Sequence, residues 1–210
     1  MAVRWYLRFA LSYRDVEELL AERGLEVDHV TIYRWAQRFT PLLAEAARPC
    51  RRRPGDRWFV DKTYVKVAGR RAYLYRAVDQ HGQVIDVFAS TRRDQGITRR
   101  FFTQALSHGH RPVEVTTDKA PVCPRLLDEL LPEACHVDAA QENNRIETDH
   151  GRLKARLRPM RGLQRLRSVQ TVSAGHALVQ NIRRGHDKCA VDTHPQLRLA
   201  AAFTELAHAV

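Results

Sequence analysis

Phe59-Val60-Asp61-Lys62-Thr63-Tyr64-Val65-Lys66-Val67 is the stretch that decides the fold. Side chains along a strand point alternately to opposite faces. Phe59, Asp61, Thr63, Val65 and Val67 therefore share one face, and Val60, Lys62, Tyr64 and Lys66 the other. Asp61 stands among apolar neighbours on the first face. A carboxylate inside an apolar strand is costly unless it is paired or binds a cation.

Reading outward, Ala72–Val78 is a second strand, His81-Gly82 a turn and Val84–Ala89 a third strand. Strands joined by short turns form an antiparallel meander. Downstream, Asp94–Leu106 has Ile97, Phe101, Phe102 and Ala105 in helical register. Val113–Thr116 is a short strand ending at Thr117-Asp118, Pro124–Leu131 a helix and Ala134–Val137 another short strand. Arg145–Leu157 and Ser168–Arg183 read as helices. The order β-β-β-α-β-α-β-α predicts an α/β fold: a mixed sheet of ribonuclease-H-like order with helices packed on it.

Upstream of the strands the period is helical. Ser12-Tyr13-Arg14-Asp15 forms a capping box with Asp15 in place of the usual glutamate. Val16, Leu19 and Leu20 follow as an apolar stripe, and Gly24 closes that helix. Asp28 caps a second helix whose stripe is Ile32, Trp35, Ala36 and Phe39. Helix, glycine turn, helix is the layout of a helix-turn-helix, or of a plain helical hairpin with a solvated face. His29, Tyr33, Arg34, Gln37 and Arg38 lie off the stripe and are the candidates to meet DNA. Pro41, Pro49, Pro54, Gly55 and the run Arg51–Arg53 mark a boundary, because prolines break helices and arginines keep a linker solvated. Four segments result: a helix-turn-helix DNA-binding region over 1–45, a Pro/Arg-rich linker over 46–57, a catalytic domain over 58–160 and C-terminal helices over 161–210.

The chain of 210 residues carries 35 Lys and Arg against 24 Asp and Glu, a formal net charge of +11. A surplus of that sign points to a polyanionic partner. The 44% of hydrophobic residues suffices for a core. No apolar run reaches membrane-spanning length and no signal peptide opens the chain, so no membrane partner is expected. Cys50, Cys123, Cys135 and Cys189 form no C-x-x-C pair, which argues against a zinc ribbon and for reduced thiols in a cytoplasmic protein.

Most acids sit where acids usually sit, on solvated helix faces. Three do not: Asp61 within a strand, Asp118 at a strand end, and Glu147 at the start of a helix. Two divalent ions about 3.5–4 Å apart can clamp the attacking and leaving oxygens of a phosphodiester. They need hard carboxylate oxygens converging from different elements. Lys154 lies two helical turns beyond Glu147 and shares its face. Arg152, Arg156 and Arg158 continue a basic run with no acid between them, suited to a DNA track.

These segments resemble the DDE transposases of insertion-sequence family six, in an actinobacterial-type form. The resemblance is carried by Leu11-Ser12-Tyr13-Arg14-Asp15-Val16, Thr31-Ile32-Tyr33-Arg34-Trp35, Asp61-Lys62-Thr63-Tyr64-Val65, Tyr73-Leu74-Tyr75-Arg76-Ala77-Val78-Asp79, Thr116-Thr117-Asp118-Lys119 and Asn143-Asn144-Arg145-Ile146-Glu147. It implies a catalytic, metal-binding triad of Asp61, Asp118 and Glu147, two Mg²⁺ or Mn²⁺ ions, and Lys154 on transposon-end DNA. It implies a homo-oligomer on paired element ends, strand cleavage and strand transfer to target DNA giving a co-integrate, and a bacterial, nucleoid-associated location. In the family an acid usually follows the first aspartate; here it is Lys62, which alternation sends to the face opposite Asp61. Family members also carry residues ahead of the segment matching Met1–Arg4. A shortened copy or an alternative start is therefore expected, with a non-catalytic, truncated DNA-binding relict as the alternative function.

Overall fold

A computed structural model describes residues 1–107, 109–117, 123–138, 151, 153, 155 and 163–210. The chain divides into two compact units. One consists of Met1–Arg52, Leu153–Leu163 and Arg167–Val210, the other of Arg53–Arg152 and Gln164–Leu166.

The second unit is built on a five-stranded sheet: β1 (Arg57–Val67), β2 (Arg70–Asp79), β3 (Val84–Ser90), β4 (Glu114–Thr117) and β5 (Cys135–Asp138). Its spatial order is β3-β2-β1-β4-β5. The meander β1-β2-β3 is antiparallel, whereas β4 runs parallel to both β1 and β5. A two-residue turn joins β1 to β2. Ala68 and Gly69 both have positive φ, 47° and 76°, which matches the twist of a hairpin. Helices α4 (Gln95–Leu106) and α5 (Cys123–Leu130) contribute to the core on one face. There Phe101, Phe102, Leu126 and Leu127 meet Trp58, Val60, Tyr75, Ala77 and Val115. Asp94 starts α4 as expected, its carboxylate accepting from Ile97 N at 2.9 Å. Phe59, Thr63, Leu74, Val78 and Val87, on the other face, are buried as well. Both faces of the sheet centre are thus withdrawn from water, which is why its strands read as dense apolar runs.

The first unit is helical: α1 (Ala2–Arg8), α2 (Tyr13–Ala21), α3 (His29–Ala46), most of α6 (Leu166–Arg184), and α7 (Pro195–Ala207). The Ser12–Asp15 capping box forms in both directions, at 2.7 and 3.2 Å. Asp28 caps α3, accepting from Val30 N and Thr31 N. Leu7, Val16, Leu20, Ile32, Ala36, Val172, Leu178, Ile182, Leu199 and Phe203 share one core.

Two expectations change here. Pro41 does not end α3; the helix continues to Ala46 with Pro41 on its exposed side. The buried Leu43 and Ala47 extend the apolar face past the proline, and packing overrides the loss of one backbone hydrogen bond. Arg51 does not lie in an unpaired linker either. It forms an antiparallel bridge with Asp187, flanked by Lys188 N donating to Cys50 O at 2.7 Å and Arg52 N to His186 O at 2.8 Å.

Candidate active site

β1 is central in the sheet, and Asp61 lies near its middle, half-buried. Its antiparallel partner on β2 is Arg76. On the other side β1 pairs with β4 through Arg57↔Glu114, Trp58↔Val115, Phe59↔Thr116 and Val60↔Thr117. Arg57 Nε donates to Glu114 Oε1 at 3.0 Å and pins that register at its start. At the other end Thr117 Oγ1 lies 2.9 Å from His136 Nε2, tying β4 to β5. The last paired row sets the residue before Asp61 beside the residue before Asp118. Asp118 itself lies outside the described residues, as do Glu147, Arg152, Lys154, Arg156 and Arg158. Of the helix expected over Arg145–Leu157, Gly151, Leu153 and Ala155 are helical and the rest is likewise outside.

Among the described residues no three His, Cys, Asp or Glu side chains come together as a metal site. Asp61 fits one ligand position of a hard cation. Its oxygens are of the type Mg²⁺ prefers, it sits on a rigid strand, and its half exposure leaves access for a hydrated ion. Lys62 faces the opposite side, in the row of Tyr75 and beside buried Val60, so it takes no place next to Asp61. Arg76 escapes the sequence criteria that mark Asp61. The same signal, a charge within an apolar strand, is present in Leu74-Tyr75-Arg76-Ala77-Val78.

The candidate DNA-reading residues belong to the helical unit. Arg34 and Arg38 are exposed on α3, and the Arg38 guanidinium lies 5.7 Å from the Phe39 ring centre. His29 is part-exposed, with Nδ1 3.0 Å from Glu17 Oε2. Tyr33 is half-buried, edge-on to Tyr13. Tyr13 is itself stacked on Tyr6. Burial in this cluster, reinforced by Tyr6, raises the Tyr13 hydroxyl pKa.

Gln37 departs from expectation. It is 8% exposed, and its Oε1 accepts from Thr171 Oγ1 of α6 at 3.2 Å. One apolar stripe suggested a single buried face for α3, but α6 closes on a second. A Cβ at Gly175 would stand 2.4 Å from Leu7 Cδ2 and 2.8 Å from Thr40 Cγ2. That close approach buries Thr40, one turn beyond Gln37 on the same side of α3.

The described fold, a mixed five-stranded sheet with helices packed on it, is that of the integrase catalytic cores. A core domain of HTLV-2 integrase in complex with magnesium matches with a TM-score of 0.51 and 19% identity, over 64% of this chain and 97% of that one. The DDE domain family matches residues 55–186. The transposase for the insertion sequence-like element IS431mec of Staphylococcus aureus is 36% identical over 161 residues, 74% of this chain and 72% of the relative. The transposase for insertion sequence element IS257 in transposon Tn4003, also from Staphylococcus aureus, is similar to the same extent. The chain belongs to the DDE transposases of the IS240/IS6 type. Among the described residues no helix is long and apolar enough to cross a membrane.

Proposed function

We propose that this transposase binds the ends of its insertion sequence, cleaves a strand there and transfers the freed 3′-hydroxyl to target DNA, with Asp61, Asp118 and Glu147 as its metal-binding carboxylates. The observation that carries this reading is the parallel register of β1 and β4. Val60 and Thr117 are row partners, and each directly precedes one of the two aspartates. Strands that deliver two acids to adjoining rows allow a shared cation. A pair of Mg²⁺ or Mn²⁺ ions supplies activation of the attacking oxygen and stabilisation of the leaving oxygen. The chain's own share is to hold its carboxylates on rigid elements and to grip the DNA.

Gripping falls to two sets of residues. Arg34 and Arg38, with His29 and Tyr33 beside them on α3, serve the end sequence. Lys154, Arg152, Arg156 and Arg158 serve phosphates near the acids. The net charge of +11 supports both roles. Pairing of two element ends calls for a homo-oligomer on DNA.

Asp61→Asn, Asp118→Asn and Glu147→Gln should each lower Mg²⁺-dependent cleavage of labelled element-end DNA by about 10³-fold or more, while end binding in a gel shift changes little. Cleavage at the wild-type rate by any of the three removes that residue from the triad. Wild-type protein that binds ends with Mg²⁺ present yet never nicks them is a DNA-occupying relict.

A further inference from the structure

Arg57 and Arg70 stand at the strand ends on the face of the sheet that carries Asp61, but the direct cross-strand partner of Asp61 is Arg76, which is 0% exposed. Partners in an antiparallel row project to the same side, with Cβ atoms about 5 Å apart. Among the described residues its neighbours on that face are Leu74 along β2, Val87 opposite on β3, and Phe59 and Thr63 along β1, all buried. The remaining acids of β1–β3 are on the other face. Asp79 is the row partner of Trp58, and Asp86 the row partner of Ala77, bonded to Gln104 of α4.

A lysine here could shed its proton, but a guanidinium stays charged at any working pH. Buried among alkyl groups, it is stable only in the field of negative charge. Conversely, carboxylates gathered to hold cations repel one another when no cation is bound. A fixed positive charge in the adjoining strand relieves that repulsion.

We propose that Arg76 is a positioning residue: the built-in counter-cation of the Asp61 carboxylate, which keeps the acidic site folded before divalent ions arrive. The proposal rests on the reading of Asp61 as a metal-site acid. It gives Asp61→Asn opposite signs in two backgrounds. With Arg76 present and metal removed by EDTA, the substitution strands a buried cation and lowers the melting temperature. With Arg76→Met, it removes an uncompensated acid and raises or preserves it.

The test is a double-mutant cycle in EDTA on the full chain: wild type, Asp61→Asn, Arg76→Met, and both. The expected coupling is about tenfold or more in the unfolding equilibrium constant. Additive effects, or a higher melting temperature for Asp61→Asn alone, overturn the proposal. Arg76→Lys separates charge from packing, since Met matches the shape of the alkyl stem and Lys keeps the charge. Lys should be the more stable variant in EDTA, and the reverse order overturns the proposal. Should Arg76→Met fail to fold, the sign for Asp61→Asn in the wild-type background decides alone.

Mn²⁺ titration of the melting temperature keeps the two readings apart. Coupling with no Asp61-dependent Mn²⁺ response sustains the charge pair and removes the metal site. An Asp61-dependent Mn²⁺ response with no coupling does the opposite.

Discussion

Asp79 in the sheet unit and Asp187 in the helical unit are both 1% exposed, yet their surroundings differ completely. Asp79 accepts three backbone N–H groups: Gly55 at 2.8 Å, His81 at 2.9 Å and Gln83 at 2.8 Å. It thereby ties the β2–β3 turn to the segment leading into β1. Among the described residues, no donor reaches either carboxylate oxygen of Asp187; its compensation is the charge of Arg51. Burial pushes its carboxyl up to about 6 against that attraction. Burial alone therefore does not decide whether an acid stabilises this protein; the number of donors aimed at it does.

The sharpest way to break the comparison is to remove the donor-rich acid. Asp79→Ala leaves three N–H groups without their acceptor, that of Gln83 in a buried residue, at a cost of about 4 kcal/mol. Urea unfolding followed by tryptophan fluorescence, with Trp5 and Trp35 replaced by Phe in both proteins so that Trp58 reports alone, should show that loss. A change under about 1 kcal/mol would mean that water replaces the carboxylate at no cost, and the contrast with Asp187 would vanish.

The opposite sign is expected at Asp187. Its folded pKa of about 6 lies above the ordinary 3.8, so the native state holds the proton more tightly than the unfolded chain. Stability from this group is fully present below about pH 4 and is lost as pH rises through about 6. Asp187→Asn removes that loss. The gain should be near zero at pH 4 and rise to about 3 kcal/mol at most by pH 7.5, a figure in which the opposing attraction of Arg51 is already counted. Melting temperatures of the two proteins across pH 4–8 measure it. A gain independent of pH would place its origin in packing instead.

These two acids also mark what the sequence can disclose. Local signals carried well: the alternation around Asp61 placed β1 and its faces, and Ser12, Asp28 and Asp94 started their helices within the residues that cap them. What failed depended on distant chain segments. Nothing near Arg51 announces Asp187, and nothing near Gln37 announces Thr171. Leu199, Ala202, Phe203 and Leu206 did carry a helical stripe behind His194-Pro195, a legible signal for α7 within the region read only as C-terminal helices. At the candidate site, Asp61 was legible because an acid in an apolar strand needs a reason. Arg76 needed one equally, but its reason appears only once the β1–β2 register sets it opposite Asp61.

The smallest effect sharpens the comparison at the surface. In the capping box, Asp15 accepts from Ser12 N at 2.7 Å while the Ser12 hydroxyl accepts from Asp15 N at 3.2 Å, and the bonds are exposed. Here donors are well aimed, as at Asp79, but water stands ready to replace them. Ser12→Ala should therefore cost only about 1 kcal/mol, the usual penalty for a lost N-cap. Since α2 packs Val16 and Leu20 into the helical core, that loss should appear in the unfolding of the helical unit. If Ser12→Ala proved as costly as Asp79→Ala, solvent access would be irrelevant to the value of a satisfied backbone N–H. Donor geometry alone would then separate Asp79 from Asp187.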